Sequence, residues 1–383
     1  MGIRVPRVVH GTSSYSPYQV SLVDTDMGMH FCGGSILNSF IILTAAHCLY
    51  RPSRGKELPS LNNPRMPNEI RVVAGQYSLQ WPDVTEQTRY VSEFVVHPAY
   101  FSILENDIAL LQLSEPLNIT RSVHPVQLPI LDREFKGNIT VFGWGVDTMY
   151  DAKSYVAHDT LQMGEMSIIP KSRCDLLMLL NSRLPTIPTR FAASSMICGW
   201  SNSTTVCKGD SGSGAVCRDC PPPPPVVEGM ESTGGEDGSK CVDLLCGINS
   251  WGGGKNDCLI DEFGDLIKPP PPAVFTKVST FVYWISHVLH TELEVKGHFL
   301  CDNLQYVVQS RRCDGKLDCL DGSDEQNCTK SGSTTTESSF IHNSISTQMN
   351  EITPTTTRNN NGSDSAFEEG SLRAPLLSQI PSA

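Results

Sequence analysis

Three short stretches decide how the chain is read: Leu43-Thr44-Ala45-Ala46-His47-Cys48, Asn106-Asp107-Ile108-Ala109-Leu110-Leu111 and Gly209-Asp210-Ser211-Gly212-Ser213-Gly214. The first sets a histidine beside a cysteine, the second an aspartate at the head of an apolar run, the third a serine among glycines. A serine hydroxyl is a poor nucleophile until a neutral imidazole takes its proton. The imidazole in turn needs a carboxylate to hold its tautomer and stabilise its cation. Glycines flanking the serine let backbone N–H groups approach a developing oxyanion. Taken singly, each stretch has a plainer explanation: a surface or core histidine, a turn before a strand, a loop. Taken together, they supply the three groups that acyl hydrolysis by serine requires.

The surrounding sequence has strand-length apolar runs, such as Ile70–Val73, Tyr90–Val96 and Ile108–Leu113, bounded by Gly, Pro, Asn and Asp. This punctuation predicts an all-β barrel or sandwich. Phe281, Trp284, Ile285 and Val288 recur at helical spacing and predict one amphipathic helix over Phe281–Leu289. The chain has 383 residues and is 39% hydrophobic, too apolar to be wholly disordered. No apolar run approaches the ~18 residues of a membrane-spanning helix. With 41 acidic against 29 basic residues the net charge is −12, which argues against nucleic acid as a partner.

Fourteen cysteines indicate an oxidising compartment unless their spacing fits zinc. It does not fit: Cys217-x₂-Cys220 runs straight into Pro221–Pro225, and no second pair matches it. Disulfides in a secreted protein are expected, in keeping with glycosylation sequons at Asn118, Asn138, Asn202, Asn327 and Asn361. The opening residues Met1 to Arg7 lack an apolar signal core, and Pro6 rules out a myristoylation motif. The secretion signal is therefore expected outside this chain, or the start is truncated. The proline runs Pro221–Pro225 and Pro269–Pro272 belong in loops.

In the order His, Asp, Ser, the three stretches resemble the chymotrypsin/trypsin-like serine peptidase family. Further motifs carry the resemblance. Phe31-Cys32-Gly33-Gly34-Ser35 lies just ahead of His47, and Phe142-Gly143-Trp144-Gly145 resembles the family's Gly-Trp-Gly turn. Ser250-Trp251-Gly252 resembles its substrate-binding edge strand, and Phe281–Leu289 its terminal helix. The resemblance implies two packed antiparallel β-barrels with the site in the cleft between them. It makes Ser211 the nucleophile, His47 the general base and Asp107 the orienting carboxylate, with the N–H groups of Gly209 and Ser211 as the oxyanion hole. No cofactor is implied for catalysis.

Arg7-Val8-Val9-His10-Gly11 resembles the family's activation junction. Cleavage after Arg7 would free the Val8 ammonium to bury beside Asp210 and order the oxyanion hole. The family pattern also places Thr205 at the base of the primary pocket, with Ser250, Trp251, Gly252 and Ala273 around it. An acidic residue at the base would meet Lys or Arg; Thr205 has no charge. Cleavage after neutral, apolar residues such as Leu, Met, Phe or Tyr is therefore expected. Residues 226–265 hold nine acidic and two basic side chains. That charge is expected around the substrate entrance, a loop facing away from the cleft being the alternative.

The resemblance further implies the disulfides Cys32–Cys48, Cys174–Cys198 and Cys207–Cys258. Cys217 matches a family half-cystine whose usual partner position is Ile139 here. Cys217, Cys220, Cys241 and Cys246 then allow three pairings. Cys217–Cys246 with Cys220–Cys241 is the one favoured.

Residues 297–328 form a unit rich in Cys and Asp and too small to fold on a hydrophobic core alone. It resembles a low-density lipoprotein receptor class A repeat with four of the usual six cysteines. The missing third falls at Tyr306 and the missing first near Glu294, two positions that normally pair. The resemblance leaves Cys301–Cys319 and Cys313–Cys328. It also implies a calcium cage from the side chains of Asp314, Asp318, Asp324 and Glu325 with the carbonyls of Arg311 and Lys316.

The expected organisation is a propeptide remnant at 1–7, a peptidase domain at 8–294, the calcium module at 295–328 and a disordered, Ser/Thr/Asn-rich tail at 329–383. The expected function is a secreted serine endopeptidase acting on proteins or peptides, the module gripping a further protein ligand. The alternative is a binding or adhesion protein that uses the peptidase domain as a scaffold. The physiological substrate, the activator and the module's ligand are not legible in the sequence.

Overall fold

Strand-forming sequence with short turns accounts for most of the ordered chain. The computed structural model describes residues 12–52, 59–101, 105–148, 156–157, 159–181, 194–220, 241–252 and 271–328. Residues 1–328 form one compact unit and 329–383 a second; the second lies outside the described residues, as do Arg7, Val8, Cys258 and Asn361.

An edge strand β1 (Thr12–Ser13) precedes the first barrel, which consists of β2 (Gln19–Asp24), β3 (His30–Ile36), β4 (Ile41–Thr44), β7 (Ile70–Ala74), β8 (Gln87–Val96) and β9 (Ala109–Leu113). These close in the order β2-β3-β4-β9-β8-β7 with every pairing antiparallel. Their inward residues, including Val20, Leu22, Ile42, Val72 and Leu111, are fully buried in one continuous core. A separate hairpin, β5 (Tyr50–Pro52) with β6 (Pro59–Pro64), leaves the barrel just after His47.

The second barrel is built from β10 (Asn138–Gly143), β13 (Gln162–Ile169), β14 (Met196–Trp200), β15 (Gly214–Asp219), β16 (Val242–Trp251) and β17 (Ala273–Lys277). Between β10 and β13 lies a small pair, β11 (Val146–Thr148) and β12 (Val156–Ala157). The order β13-β10-β15-β16-β17-β14 closes through a β13–β14 pairing, and β1 adds to β13. Helix α1 (Lys171–Asn181) packs Cys174 and Met178 against this barrel. The expected terminal helix is present as α2 (Val278–Thr291), longer at both ends than its apolar spacing indicates. It packs on the first barrel, where His97 lies against Phe281 and Trp284 at ring separations of 5.2 and 5.0 Å. The all-β, two-barrel fold with a C-terminal helix is thus present.

Cys32–Cys48 and Cys174–Cys198 form as the resemblance implies, and Cys217 pairs with Cys246 and Cys220 with Cys241. Ile139, where the family has a cysteine, is fully buried in the same apolar cluster as Cys217 and Cys246. Hydrophobic packing fills the place of the lost bridge. Cys207 is also disulfide-bonded; its expected partner Cys258 lies outside the described residues.

The acidic charge expected around the substrate entrance falls mostly on 221–240 and 253–270, outside the described residues. Residues 221–240 leave from the end of β15 and return at Cys241, so the Cys220–Cys241 bridge closes the loop six strand residues beyond Gly214. At ~3.3 Å per residue that end of the hairpin lies roughly 20 Å along the strand from the Ser211 turn. Glu228, Glu231, Glu236 and Asp237 lie within 221–240, outside the described residues. The other acidic stretch follows Gly252, and 253–270 lie outside the described residues.

The module follows α2. It comprises β18 (His298–Leu300) paired with β19 (Tyr306–Val308), short 3₁₀ turns, and the disulfides Cys301–Cys319 and Cys313–Cys328.

Candidate active site

Strand β4 ends at Thr44, and the chain turns through Ala45 into a 3₁₀ turn, Ala46–Leu49, that carries His47. Ala45 and Ala46 are fully buried, and the Cys32–Cys48 bridge ties the turn to β3. Asp107 is delivered by Asn106, whose φ of 54° is a left-handed turn that asparagine tolerates better than most residues. The Asn106 amide donates to the Ala99 carbonyl at 3.0 Å, so the turn has its own anchor.

Asp107 is 1% exposed and His47 9%. One Asp107 oxygen accepts from the His47 backbone N–H at 2.8 Å, and the other lies 2.7 Å from His47 Nδ1. A carboxylate only accepts, so Nδ1 carries the proton and Nε2 is left as the basic nitrogen. Ser250 Oγ donates to the same Asp107 oxygen at 2.5 Å, and Thr276 Oγ1 to the Asp107 carbonyl at 2.9 Å. Ser250 is thus an anchor of the carboxylate through its side chain. Thr276 is an anchor that no motif pointed to.

Ser211 is held by a bond between barrels: the Gly33 N–H donates to the Ser211 carbonyl at 2.7 Å. Gly33 adjoins Cys32, Cys32 is bridged to Cys48, and Cys48 adjoins His47. One hydrogen bond and a short covalent path through the disulfide therefore tie the serine turn to the histidine turn. The Gly212 N–H donates to the Asn249 carbonyl at 2.8 Å. Gly212 has φ +77°, and a Cβ there would stand 2.3 Å from Thr44 Oγ1 and 2.6 Å from the Gly33 carbonyl. Only glycine fits. Cys32, His47 and Cys48 are also close enough to hold a metal, but both sulfurs are used in the disulfide.

Asp210 is 1% exposed, and its carboxylate accepts from the Gly145 and Cys207 N–H groups, each at 2.7 Å. It occupies the space left by two glycines: Cβ atoms at Gly143 and Gly145 would lie 1.9 and 2.3 Å from its oxygens. This explains the Gly-Trp-Gly motif in steric terms. Burial pushes the Asp210 carboxyl up to about 7, against the pull of its two N–H donors. A buried carboxylate of this kind is completed by a cation.

His30 is a site residue that sequence reading passed over, although it directly precedes the quoted Phe31-Cys32 stretch. Its Nε2 lies 2.9 Å from the Gly209 carbonyl and its Nδ1 2.8 Å from Ser21 Oγ. The carbonyl requires Nε2 to donate, which leaves Nδ1 to accept from the serine hydroxyl. Burial pushes its pKa down to about 4, so the ring is neutral at physiological pH. His30 thereby fixes the peptide that joins Gly209 to Asp210.

Thr205 is 1% exposed and Ala273 likewise, while Trp251 is half-buried. Gly252 has φ +136°, and a Cβ there would lie 2.8 Å from Ala273 Cα. Gly252 and Ala273 are therefore in backbone contact, as their pairing strands require. No charged side chain stands among Thr205, Ser250, Trp251, Gly252 and Ala273.

In the module, Asp324 is fully buried and Asp318 half-buried. Asp324 Oδ2 accepts from the Asp318 N–H at 2.8 Å, and Asp318 Oδ1 pairs with Arg311 at 2.7 Å. Asp324 Oδ1 and Asp318 Oδ2 are buried without a partner. Glu325 accepts from the Gly315 N–H and Asp314 from the Lys316 N–H, each at 2.9 Å. The orphaned oxygens of Asp318 and Asp324 are the donor type a hard cation takes, although no three of Asp314, Asp318, Asp324 and Glu325 bring carboxylate oxygens within 4.8 Å of one another.

Comparison with known proteins agrees with the geometry. The Trypsin family profile matches residues 8–285, and that of the low-density lipoprotein receptor domain class A matches 295–328. The chain is 29% identical over 275 residues to a tryptase from Mus musculus, covering 71% of this chain and 83% of the relative. It is 29% identical over 274 residues to trypsin-1 from Astacus astacus, covering 70% and 93%. It is 30% identical over 274 residues to a trypsin from Xenopus laevis, covering 71% and 85%. Among the described residues no helix is long and apolar enough to cross a membrane. The chain belongs to the trypsin family of serine proteases, and it carries a low-density lipoprotein receptor class A domain after the protease domain.

Proposed function

We propose that the chain is a secreted serine endopeptidase in which Ser211 is the nucleophile, His47 the general base and then acid, and Asp107 the group that orients His47. The observation that carries this reading is the pair of hydrogen bonds between the buried Asp107 carboxylate and His47, at Nδ1 and at the backbone N–H. It leaves Nε2 as the proton acceptor, so Ser211 Oγ can form the acyl bond while its proton passes to His47. His47 then returns that proton to the leaving amine, and water repeats the cycle on the acyl-enzyme. The N–H groups of Gly209 and Ser211 stabilise the oxyanion; losing one such donor typically costs ~10²–10³ in turnover.

Cleavage after Arg7 places the Val8 ammonium beside Asp210, supplying the cation that its burial calls for. The uncharged Thr205 selects neutral, apolar residues at the scissile position; the names of the tryptase and trypsin relatives describe those proteins. The module takes Ca²⁺ through Asp314, Asp318, Asp324 and Glu325 with the carbonyls of Arg311 and Lys316. There the ion supplies the charge that the orphaned oxygens of Asp318 and Asp324 lack. Sequons at Asn118, Asn138, Asn202 and Asn327 are exposed, as glycosylation of an extracellular protein requires.

The test is a panel of peptides that differ only at the residue before the scissile bond, assayed with the chain starting at Val8. Turnover of the Leu, Met, Phe or Tyr peptides is expected, with none by Ser211→Ala. Preferred cleavage after Arg or Lys would overturn the specificity, and equal turnover by Ser211→Ala the mechanism.

A further inference from the structure

The module is expected to lack one disulfide, between the neighbourhood of Glu294 and position 306. The structure shows what stands there instead. Tyr306 Oη donates to the Leu293 carbonyl at 3.1 Å, one residue from Glu294. The Tyr306 ring meets Phe40 of the protease edge-on at 5.8 Å, and His298 meets Phe40 at 4.9 Å. Asn38 completes the contact: its Oδ1 accepts from the Phe40 and Ile41 N–H groups, and its Nδ2 donates to the Leu304 carbonyl at 2.9 Å. Leu293 and Val295 are buried in the core of the first barrel, and Leu300, Leu304 and Tyr306 pack against it. The module's own apolar cluster is only Cys301, Val307 and Cys319, with Phe299 beside them.

So small a cluster offers little independent stability, and the module leans on the protease for the remainder. Such dependence is reciprocal: whatever stabilises one partner of a docked pair stabilises the other. The dock's position gives this consequence. Phe40 immediately precedes β4, whose far end leads into His47, and β9 begins just after Asp107. These strands pair antiparallel, with Ile41 opposite Gln112 and Thr44 opposite Ala109. The module therefore holds the ends of β4 and β9 remote from the catalytic pair, and the cleft stays open.

We propose that the module is a docked brace of the first barrel, in which Tyr306, His298 and Phe40 replace the missing disulfide, so that calcium taken by the module stabilises the protease. The calcium clause rests on the function proposed above; the dock does not. All five tryptophans (81, 144, 200, 251 and 284) lie in the protease, so their fluorescence reports its unfolding and not the module's.

The test uses the full chain bearing Ser211→Ala, to prevent self-cleavage, in EDTA and in calcium, with calcium binding measured separately by calorimetry. The tryptophan-detected midpoint should rise in calcium by about 2–4 °C or more. Tyr306→Ala should lose that rise. Calcium binding with an unchanged midpoint would overturn the brace, whereas no calcium binding at all would overturn the calcium reading alone. A second arm works without calcium: in EDTA, amide exchange across 298–308 should be at least ~10-fold faster in Phe40→Ala than in the parent. His298→Ala serves if Phe40→Ala does not fold, and exchange equal to the parent's would contradict the dock.

Discussion

Single residues set the chemistry here through what they deny their neighbours. Gly143 and Gly145 leave room for the Asp210 carboxylate, and a methyl at either position would collide with it. Gly143→Ala is therefore expected to lower kcat by ~10²-fold or more by disturbing the oxyanion turn, with folding retained by circular dichroism. His30 and Asp210 also give stability opposite pH dependences. With its pKa depressed from 6.5 to about 4, His30 contributes fully above pH 6.5, and the contribution is lost as pH falls through 4. Asp210, raised from 3.8 to about 7, favours the fold most below pH 3.8 and loses that contribution as pH rises through 7 while no cation faces it. Between pH 6.5 and 7.5 the second outweighs the first, because the unfolded His30 ring has already lost about half its proton at 6.5. The urea midpoint of the chain uncleaved at Arg7 should fall across that window, and that of the form starting at Val8 should not. Identical profiles would contradict the Val8–Asp210 pairing.

At the scale of elements, the β15–β16 hairpin pairs Gly214–Asp219 with Val242–Ile248 inside the cysteine-rich acidic stretch. The sequence left three pairings of its four cysteines open, and the favoured one is the pair of bridges that forms. Which end of the hairpin faced the cleft was not legible, because charge carries no direction along a strand. The bridge at Cys220–Cys241 lies at the end of the hairpin away from Gly214. Replacing 221–240 by a short Gly-Ser linker should leave kcat/KM on neutral peptides, and its salt dependence, within about twofold of the parent. A larger change would return this loop to the substrate entrance. Helix α2 teaches a related point. Its apolar spacing marked Phe281–Leu289, while backbone bonding carries it from Val278 to Thr291, since the outer turns bury little and leave little periodic signal.

Across the whole molecule, the two barrels, the candidate catalytic residues and the class A module could be read from motifs because each demands particular residue types at particular spacings. What escaped were contacts between elements distant in sequence: His30 with Gly209, Thr276 with Asp107, and Asn38 and Phe40 with the module. None has a local pattern, since each side chain takes its meaning from a partner that only the closed fold supplies. The unpaired oxygens of Asp318 and Asp324 likewise appear only once the module's backbone is in place.

The central claim is that Ser211, activated by His47 and Asp107, is the reacting atom's owner. Its most direct test is labelling of the chain starting at Val8 with a fluorophosphonate, read by intact mass and peptide mapping. One equivalent bound at Ser211 is predicted, slowed by ~10³-fold or more in His47→Ala and in Asp107→Asn. An unlabelled protein, or labelling at an undiminished rate without His47, would contradict it.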